Sequence, residues 1–329
     1  MTRVVRAAPP LWMHLAQAII QRLPAGRYRM MDWLCRGSVA SFWTRLPEHL
    51  GGLEFRCDLR DGNARVVCCT GRYEPVESAL VLSLLGPGMT FVDVGANWGY
   101  FTLLAAGRVG AQGRVLAVEP DPRLFAMLSD NLNRNALLNR NGLATVTPLP
   151  VAITDVDGPI TLAGYLEEQG NWGLSRMVTS REESPSCFQA EGRSLDELLD
   201  THNVATVDLL KLDIEGAEDF ALRGMSTGLA SGRYRRVLLE AHPTLLADHG
   251  LRVSDVTSRL TRLGYRCWRI DHSPTATRTA AYSMTINPRD YLRPLDHDGV
   301  DADGVAPDAA NGDTWPHFLF LMPDLELPA

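Results

Sequence analysis

The 329-residue sequence contains no uninterrupted apolar run of about 18 residues, the length that a transmembrane helix needs. It also has no block rich in lysine and arginine, and its 39 acidic residues outnumber its 32 basic ones. Because nucleic-acid binding depends on a concentrated basic surface, a nucleic-acid partner is not expected. The six cysteines form no CxxC pair and no cluster with histidine, which argues against a zinc site and favours a reduced, cytoplasmic setting.

Residues 1–75 are predicted to form an N-terminal extension with its own local structure. Residues 11–23 have the pattern of an amphipathic helix that packs on the main domain, and a hairpin near 53–69 and a helix near 74–85 are expected to follow. Polar residues interrupt the apolar part of the opening segment, so a signal peptide is not predicted. Peripheral contact of the first helix with a membrane surface is left open.

Nearly continuous apolar runs alternate with helix-like segments in the middle of the chain. Such runs are typical of strands covered by helices on both faces, so the pattern predicts a doubly wound, mostly parallel α/β sheet. The segment at 265–270 is expected to run parallel to its neighbours. The predicted strands are 90–94, 114–119, 207–214, 235–242, 265–270 and 317–322.

The main domain, residues 76–329, is predicted to carry insertions at about 163–193 and 272–316. Much of the second insertion consists of Asp, Gly, Ala and Pro, which cannot bury enough apolar surface to order a segment. The first part of this second insertion is less polar than the rest of it. We therefore expect Tyr282 and Tyr291 to line a pocket for a substrate.

The sequence "DVGANWG" (93–99) follows the first strand of the predicted sheet. Its glycines, Gly95 and Gly99, do not have the GxGxxG spacing that brings a pyrophosphate onto a helix N-terminus. Asp93 stands at the strand end, where a carboxylate would repel a pyrophosphate and suit a cationic centre such as a sulfonium. The turn therefore favours S-adenosylmethionine over NAD.

Glu119 ends the next strand in "LAVEPD", 20 residues after Gly99. An acid at this place can accept hydrogen bonds from both ribose hydroxyls of an adenosine ligand. Alone, such an acid is more often a cap or a solvated residue. Together with the glycine turn it predicts an adenosyl ligand, with an NAD-dependent oxidoreductase and a non-catalytic adenosyl-binding protein as the alternatives.

From about Tyr73 to Tyr265 the chain resembles the FkbM-type S-adenosylmethionine-dependent methyltransferases. The motifs are "YEPVES", "FVDVGANWGYFTL", "VLAVEPDPRLFAMLSDNLNRN", "VAITDVDG", "SLDELL", "LLKLDIEGAE" and "VLLEAHP". The resemblance implies a class I methyltransferase, Rossmann-like sheet with an antiparallel last strand, and methylation of hydroxyls on sugars, glycolipids, polysaccharides or natural products. The cofactor contacts that it implies are Asp93, Gly95, Asn97, Gly99, Glu119 and Pro120.

The residues that end the fourth and fifth strands are the predicted catalytic residues. Asp213 and Glu215 follow the fourth strand. His242 follows the fifth, and because the ordinary pKa of histidine is near neutrality, it is the natural base for a hydroxyl. These groups could instead hold a divalent metal, although no spacing demands one. Lys211, in a buried strand, is expected to form a salt bridge to one of these acids, and Glu218 to be either a helix-start charge or a site residue.

Overall fold

The computed structural model describes residues 5–23, 25–137, 142–164, 170, 172, 175–178, 186–283, 285–295 and 315–327. The helices of these residues are α1 (Leu11–Arg22), α2 (Arg27–Cys35), α3 (Gly62–Thr70), α4 (Pro75–Leu84), α5 (Tyr100–Val109), α6 (Pro122–Leu137), α7 (Leu195–Thr201), α8 (Glu218–Arg223), α9 (Ser226–Ala230), α10 (Pro243–Asp248), α11 (Val253–Thr261) and α12 (Pro274–Tyr282). The strands are β1 (Ser41–Arg45), β2 (Glu54–Asp58), β3 (Thr90–Val94), β4 (Arg114–Val118), β5 (Thr145–Leu149), β6 (Val151–Ile153), β7 (Gly158–Ala163), β8 (Arg176–Met177), β9 (Cys187–Arg193), β10 (Leu209–Leu212), β11 (Arg236–Glu240), β12 (Arg266–Ile270), β13 (Leu292–Pro294) and β14 (His317–Leu321).

The main sheet has the strand order β13-β12-β14-β11-β10-β3-β4-β5. Strands β5, β4, β3, β10 and β11 pair in parallel, and β14 pairs antiparallel with β11. The predicted class I methyltransferase-like α/β fold, with an antiparallel last strand, is confirmed. Because β3, β4, β10 and β11 run parallel, the turns after them lie at one edge of the sheet, where open α/β sheets bind ligands.

The predicted pairing of the strand at 265–270 is wrong. β12 does run in the same direction as the parallel strands, but both of its hydrogen-bonded neighbours, β14 and β13, are antiparallel to it. The reason is that the closing strand enters the sheet between β11 and β12. Sequence periodicity identifies strands but carries no information on which strand lies between two others.

The edge strand β5 was not among the predicted strands. Its residues are partly exposed and include Pro148, which cannot donate a ladder hydrogen bond and is confined to edges and bulges. β5 indeed pairs only with β4 at one end of the main sheet. Its sequence therefore lacks the continuous apolar run by which the central strands were predicted.

The predicted insertion at 163–193 overlaps a second, smaller sheet. Its order is β6-β9-β7-β8, with β7 antiparallel to both β9 and β8. Two side chains of β7, Ile160 and Leu162, line the cavity described below. Several residues of this insertion lie outside the described residues. All of residues 296–314 of the second insertion do so too, and the prediction for its acidic run therefore falls outside the part of the chain that the structure describes.

The N-terminal extension differs from the prediction in one element. The hairpin is formed by β1 and β2, whereas residues 62–70 are the helix α3. Asp61 starts this helix because its carboxylate accepts the backbone N–H of Ala64 at 3.0 Å, an N-cap. The predicted helix near 74–85 is present as α4, which starts at Pro75. The domain boundary at residue 75 coincides with this start and stays a prediction.

β2 attaches the extension to the main domain beside the glycine turn. The backbone N–H groups of Glu54 and Arg56 donate to the side-chain oxygens of Asn135 and Asn131 on α6, at 2.9 and 2.7 Å. Phe55 stacks on Trp98 with a centroid distance of 5.1 Å. The extension therefore supports the outer side of the predicted cofactor turn.

Helix α1 is amphipathic as predicted, but it packs on α2 and α3 of the extension rather than directly on the main sheet. Its other side exposes four apolar side chains, those of Leu11, Trp12, Leu15 and Ile19. No helix of the described residues is long and apolar enough to cross a membrane. Peripheral membrane contact and the cytoplasmic location stay predictions.

A buried carboxylate joins α4 to the last strands of the sheet. Glu77 Oε1 lies 2.7 Å from His272 Nε2 and 3.0 Å from His317 Nδ1. Burial alone would raise the pKa of Glu77, but His317 and His272 outweigh it and hold that pKa well below its usual range. The carboxylates of Glu240 and Glu77 raise the pKa of His317 well above its usual range, although burial alone would lower it.

Replacing Glu77 with glutamine is expected to lower the free energy of unfolding by about 1.5–3 kcal/mol at pH 6, because hydrogen bonds to a charged group are lost. The carboxylate's contribution is present above about pH 4.3, the ordinary pKa of glutamate, and is lost as the pH falls through the depressed pKa. The difference between wild type and Glu77→Gln should therefore shrink in strong acid. Urea unfolding at several pH values measures it, and an equal difference at all pH values would contradict the charged contact.

Candidate active site

A cavity of about 1210 Å³, including the part open to solvent, lies at the carboxyl edge of the main sheet. Its wall is formed by the turns after β3, β4 and β10, by the end of β11 and by side chains of the small sheet. The predicted site residues that line it are Gly95, Asn97, Glu119, Pro120, Asp213 and Glu215.

The turn after β3 is fixed by close backbone contacts. The N–H groups of Gly95 and Ala96 both donate to Val118 O, at 3.0 and 2.9 Å. Gly95 has φ 87°, and a Cβ there would lie 1.8 Å from Asp213 O. A glycine is therefore required by the approach of the neighbouring strand end as well as by the left-handed backbone.

The second glycine of the turn has a structural role. Gly99 has φ 95° and precedes α5, and a Cβ there would lie 2.6 Å from Leu128 Cδ1. It does not line the cavity, so its predicted direct contact with the cofactor is not supported by this geometry. Asn97, also in the left-handed region with φ 53°, does line the cavity.

Glu119 connects the two turns that bound the cavity. Its Oε2 accepts the N–H of Asn97 and its Oε1 the N–H of Asp121, each at 2.8 Å. Burial raises the pKa of Glu119 to about 8. Since a carboxylate has about four acceptor sites, two remain for hydroxyl donors in the cavity, as the predicted ribose contact requires.

Asp93 does not occupy the place that the sequence suggested. Its side chain is 1% exposed, does not line the cavity, and accepts a hydrogen bond from Thr102 Oγ1 at 2.6 Å. Burial raises the pKa of Asp93 to about 6, while Lys211, its partner in the β3–β10 register, lowers it. Direct contact of Asp93 with a sulfonium is therefore not supported by this arrangement, in which the carboxylate is buried beneath the turn, and it stays a prediction.

Three carboxylates at the ends of β10 and β11 line the cavity, those of Asp213, Glu215 and Glu240. Lys211 Nζ lies 2.7 Å from Asp213 Oδ2, which confirms the predicted salt bridge. Asp213 and Glu74 raise the pKa of Lys211 above its usual range despite burial, so this lysine stays charged. The side chain of Asp213 is 23% exposed and that of Glu215 10%, so these two carboxylates can meet a ligand.

The pKa values of the remaining two carboxylates differ because of their neighbours. Burial raises the pKa of Glu215 to about 8, although His242 opposes the rise. Burial would also raise that of Glu240, but His317, 3.4 Å from Glu240 Oε1, outweighs it and gives a pKa of about 2. Glu240 is thus held ionised, while Glu215 is mostly protonated at neutral pH.

His242 lies behind these carboxylates. Its side chain is fully buried, does not line the cavity, and contacts Trp315 with a ring-centroid distance of 4.9 Å. Its Nδ1 lies 2.6 Å from Glu218 Oε1, which also accepts the N–H of Gly216 at 3.0 Å. Glu218 is thus more than a helix-start charge.

The predicted role of His242 as a general base in contact with the substrate is not favoured by this arrangement and stays a prediction. Burial would lower the pKa of His242, but the hydrogen bond to Glu218 and the charge of Glu215 outweigh it and raise the pKa to about 9. An imidazole with this pKa is already protonated at neutral pH and cannot take another proton. It also has no accessible surface through which to meet a substrate.

Glu74 and Trp315 are two of the cavity-wall residues that sequence reasoning missed. Glu74 has φ 38°, and its buried Oε2 has no hydrogen-bond partner among the described residues. The motif "YEPVES" did contain it, and an acid directly before a helix-starting proline could have drawn attention to this position. Trp315 belongs to a segment that was predicted as an insert, and only its contact with His242 reveals its place.

The two tyrosines that were predicted to line the pocket lie elsewhere. The Tyr282 hydroxyl accepts the N–H of Arg27 at 3.3 Å, and its ring lies 4.4 Å from that guanidinium. Tyr291 is buried in the hydrophobic core. Neither lines the cavity, so this prediction is wrong: α12 faces the N-terminal extension.

The profile of the methyltransferase FkbM domain matches residues 93–267, which is more than half of the chain. The antimetabolite synthetase AmbE of Pseudomonas aeruginosa is 28% identical over 207 residues, 55% of this chain and 10% of that protein. The hexuronic acid methyltransferase AglP of Haloferax volcanii is 26% identical over 169 residues, 51% of this chain and 60% of that protein. This chain therefore spans less than two thirds of the length of either relative.

A solved S-adenosylmethionine-dependent O-methyltransferase from Thermotoga maritima is similar to this chain with a TM-score of 0.36 and 14% identity, over 76% of this chain and 66% of the other. Such a score adds no functional argument. The match to the domain profile covers the glycine turn, Glu119, the carboxylates after β10 and the end of β11. By that match the chain belongs to the FkbM family of methyltransferases.

Proposed function

We propose that the protein transfers the methyl group of S-adenosylmethionine to a hydroxyl of a sugar, a glycolipid, a polysaccharide or another natural product. The observation that carries the proposal is that a glycine turn, a buried ribose-type acid and a group of carboxylates open into one cavity. Family membership supports the methyl donor. The choice of a hydroxyl acceptor rests on the carboxylates.

The residues of the cavity fit S-adenosylmethionine. Glu119 is buried and has acceptor sites left for the ribose hydroxyls of the cofactor. The described residues that line the cavity carry five carboxylates and one cationic side chain, that of Lys211. An anionic wall suits a ligand with sulfonium and ammonium centres and disfavours the pyrophosphate of NAD.

Asp213 and Glu215 are the groups best placed to hold an acceptor hydroxyl, and Asp213 is the one best placed to receive its proton. Both line the cavity, and Lys211 fixes one oxygen of Asp213 while leaving Oδ1 available. Bound S-adenosylmethionine would supply a methyl group on a positively charged sulfur. Holding the acceptor oxygen in line contributes up to roughly 7–11 kcal/mol in favourable cases, and a base about 10²–10⁴-fold.

The charge of the cavity also limits the acceptor. The acids at the ends of β10 and β11, of which Glu240 is held ionised, would repel an anionic group close to the reacting hydroxyl, so a neutral polyol fits better than a uronate. The test is methyl transfer from labelled S-adenosylmethionine to a panel of neutral sugars, uronates and amines. Exclusive transfer to amines would contradict the hydroxyl acceptor, and binding without transfer to any acceptor would favour a non-catalytic adenosyl-binding protein.

Replacing Glu119 with alanine is expected to weaken S-adenosylmethionine binding by about 1.5–3 kcal/mol, the range for hydrogen bonds to a charged group. Calorimetry on the folded variant measures the change. Thr102→Val is the matched control, because it removes the hydrogen bond to Asp93 beneath the same turn without altering the cavity wall. Unchanged affinity in Glu119→Ala, or an equal loss in both variants, would remove the ribose role.

A further inference from the structure

One ring nitrogen of His242 is buried without a hydrogen bond and is surrounded by carboxylates. Nε2 lies 3.4 Å from Glu215 Oε2, 3.7 Å from Glu240 Oε1 and 4.0 Å from Asp213 Oδ1. It nevertheless has no hydrogen-bond partner among the residues that the structure describes. Because buried polar groups are almost always bonded, this nitrogen indicates a ligand that the described chain does not supply.

The other ring nitrogen is held in the way that metal-binding histidines are held. Nδ1 lies 2.6 Å from Glu218 Oε1, and both side chains are fully buried. In metal sites the second ring nitrogen usually donates to a carboxylate, which fixes the ring and strengthens the ligand. Here that contact turns Nε2 toward Asp213 and Glu215.

We propose that Asp213, Glu215 and His242 bind a divalent cation through Oδ1, Oε2 and Nε2, and that any proton on Nε2 or on the Glu215 carboxyl is released to solvent as the cation binds. One ligand atom from each of the three residues lies within 4.8 Å of the other two. Donors that surround an ion at about 2.0–2.2 Å lie about 3–4 Å apart, so small side-chain shifts would complete the coordination. Carboxylates suit Mg²⁺ and Mn²⁺ and imidazole suits first-row transition metals, so Mn²⁺ fits the mixed set.

The charge of the surrounding wall favours such an ion. Among the described residues that line the cavity, Glu74, Glu119, Asp213, Glu215 and Glu240 face a single lysine. Like charges so close together repel each other strongly away from water, and a divalent cation offsets that repulsion. If the proposed function is right, an acceptor hydroxyl bound to the cation would have a lowered pKa and lose its proton more readily.

A second cluster of similar composition provides an internal control. Glu77, His272 and His317 also lie close enough to share a metal. In that cluster His272 Nε2 and His317 Nδ1 both contact Glu77 Oε1, and His317 Nε2 lies near Glu240. The ring nitrogens of this cluster that face carboxylates thus already have partners. We therefore do not assign a metal ion to the cluster.

The test is Mn²⁺ titration of the full chain after treatment with a chelator, followed by electron paramagnetic resonance and calorimetry, without cofactor or acceptor. We expect one Mn²⁺ per chain. His242→Ala should weaken Mn²⁺ binding by at least about 10–100-fold. Glu218→Gln should also weaken it by about 10–100-fold, because Glu218 does not touch the ion but orients the ring of His242. His272→Ala should bind Mn²⁺ as the wild type does.

Wild-type protein that binds neither Mn²⁺ nor Zn²⁺ would overturn the proposal, as would loss of binding in His272→Ala with retention in His242→Ala. If His242→Ala does not fold, Glu215→Gln, which keeps the shape of the side chain, decides the question in the same titration. Mn²⁺ binding through His242 without methylation of any hydroxyl would uphold the site and overturn the proposed function. Methyl transfer to a hydroxyl by chelator-treated protein that binds no metal would overturn the metal site and uphold the proposed function.

Discussion

Replacing Asp213 with asparagine is expected to lower kcat roughly 10²–10⁴-fold, the usual contribution of a group that accepts or directs a proton. Asparagine keeps the shape of the side chain but cannot accept a proton or balance the charge of Lys211. The same loss is expected if Asp213 binds a cation, since an amide is a weaker ligand. Affinity for S-adenosylmethionine should change little, because Glu119 and the glycine turn lie on the neighbouring strands.

The measurement is single-turnover methyl transfer together with calorimetry of cofactor binding. Asp200→Asn is the control, because Asp200 is exposed and pairs with Arg233 away from the cavity. Turnover of Asp213→Asn within a factor of about 3 of the wild type would exclude Asp213 from the reaction. The role would then pass to Glu215, whose Gln variant is the next to measure.

Replacing Gly95 with alanine is expected to lower the free energy of unfolding by about 2–6 kcal/mol. A non-glycine residue in a strained backbone conformation costs about 1–3 kcal/mol, and forcing a methyl group into a packed site costs about another 1–3 kcal/mol. Both apply, because Gly95 has φ 87° and its Cβ would lie 1.8 Å from the backbone oxygen of Asp213. Cofactor binding should be lost as well, since the turn and the end of β10 would have to move apart.

Gly107→Ala provides the matched control. Gly107 lies inside α5, and a Cβ there would meet no atom within 4 Å. Alanine in a helix interior is more favourable than glycine by roughly 0.5–1 kcal/mol, so this variant should be slightly more stable than the wild type. Urea unfolding followed by circular dichroism compares the two, and equal stabilities would show that the turn is not strained.

The sequence determined the fold class and the cofactor turn, because both depend on local patterns. Central strands such as β3 and β10 are continuous apolar runs, since they are buried on both faces of a parallel sheet. Glycine at position 95 and the acid at position 119 are tied to the ends of consecutive strands, so their spacing along the chain is enough to bring them to one edge. The lysine–aspartate pair of β10 was predicted for the same local reason.

The tertiary structure decided what lies next to what across the sheet. The order of β11, β14 and β12 is such a property, because strand pairing over long sequence separations leaves no periodicity in the chain. Asp93 was expected to face the ligand, but a strand-ending carboxylate can lie above or beneath the turn. Its contact with Thr102 on α5 settles that choice.

His242 shows the same limit for the chemistry of the site. Its position after β11 was predictable, but its pKa and its burial depend on Glu218 and on Trp315, which belong to other segments of the chain. A histidine's role follows from the groups around its two nitrogens, and here one nitrogen contacts a buried carboxylate while the other faces the acids at the ends of β10 and β11. The sequence determined which residues belong to this site. The pKa of each residue was decided only by the tertiary structure, because it depends on charged neighbours that are far apart in the chain.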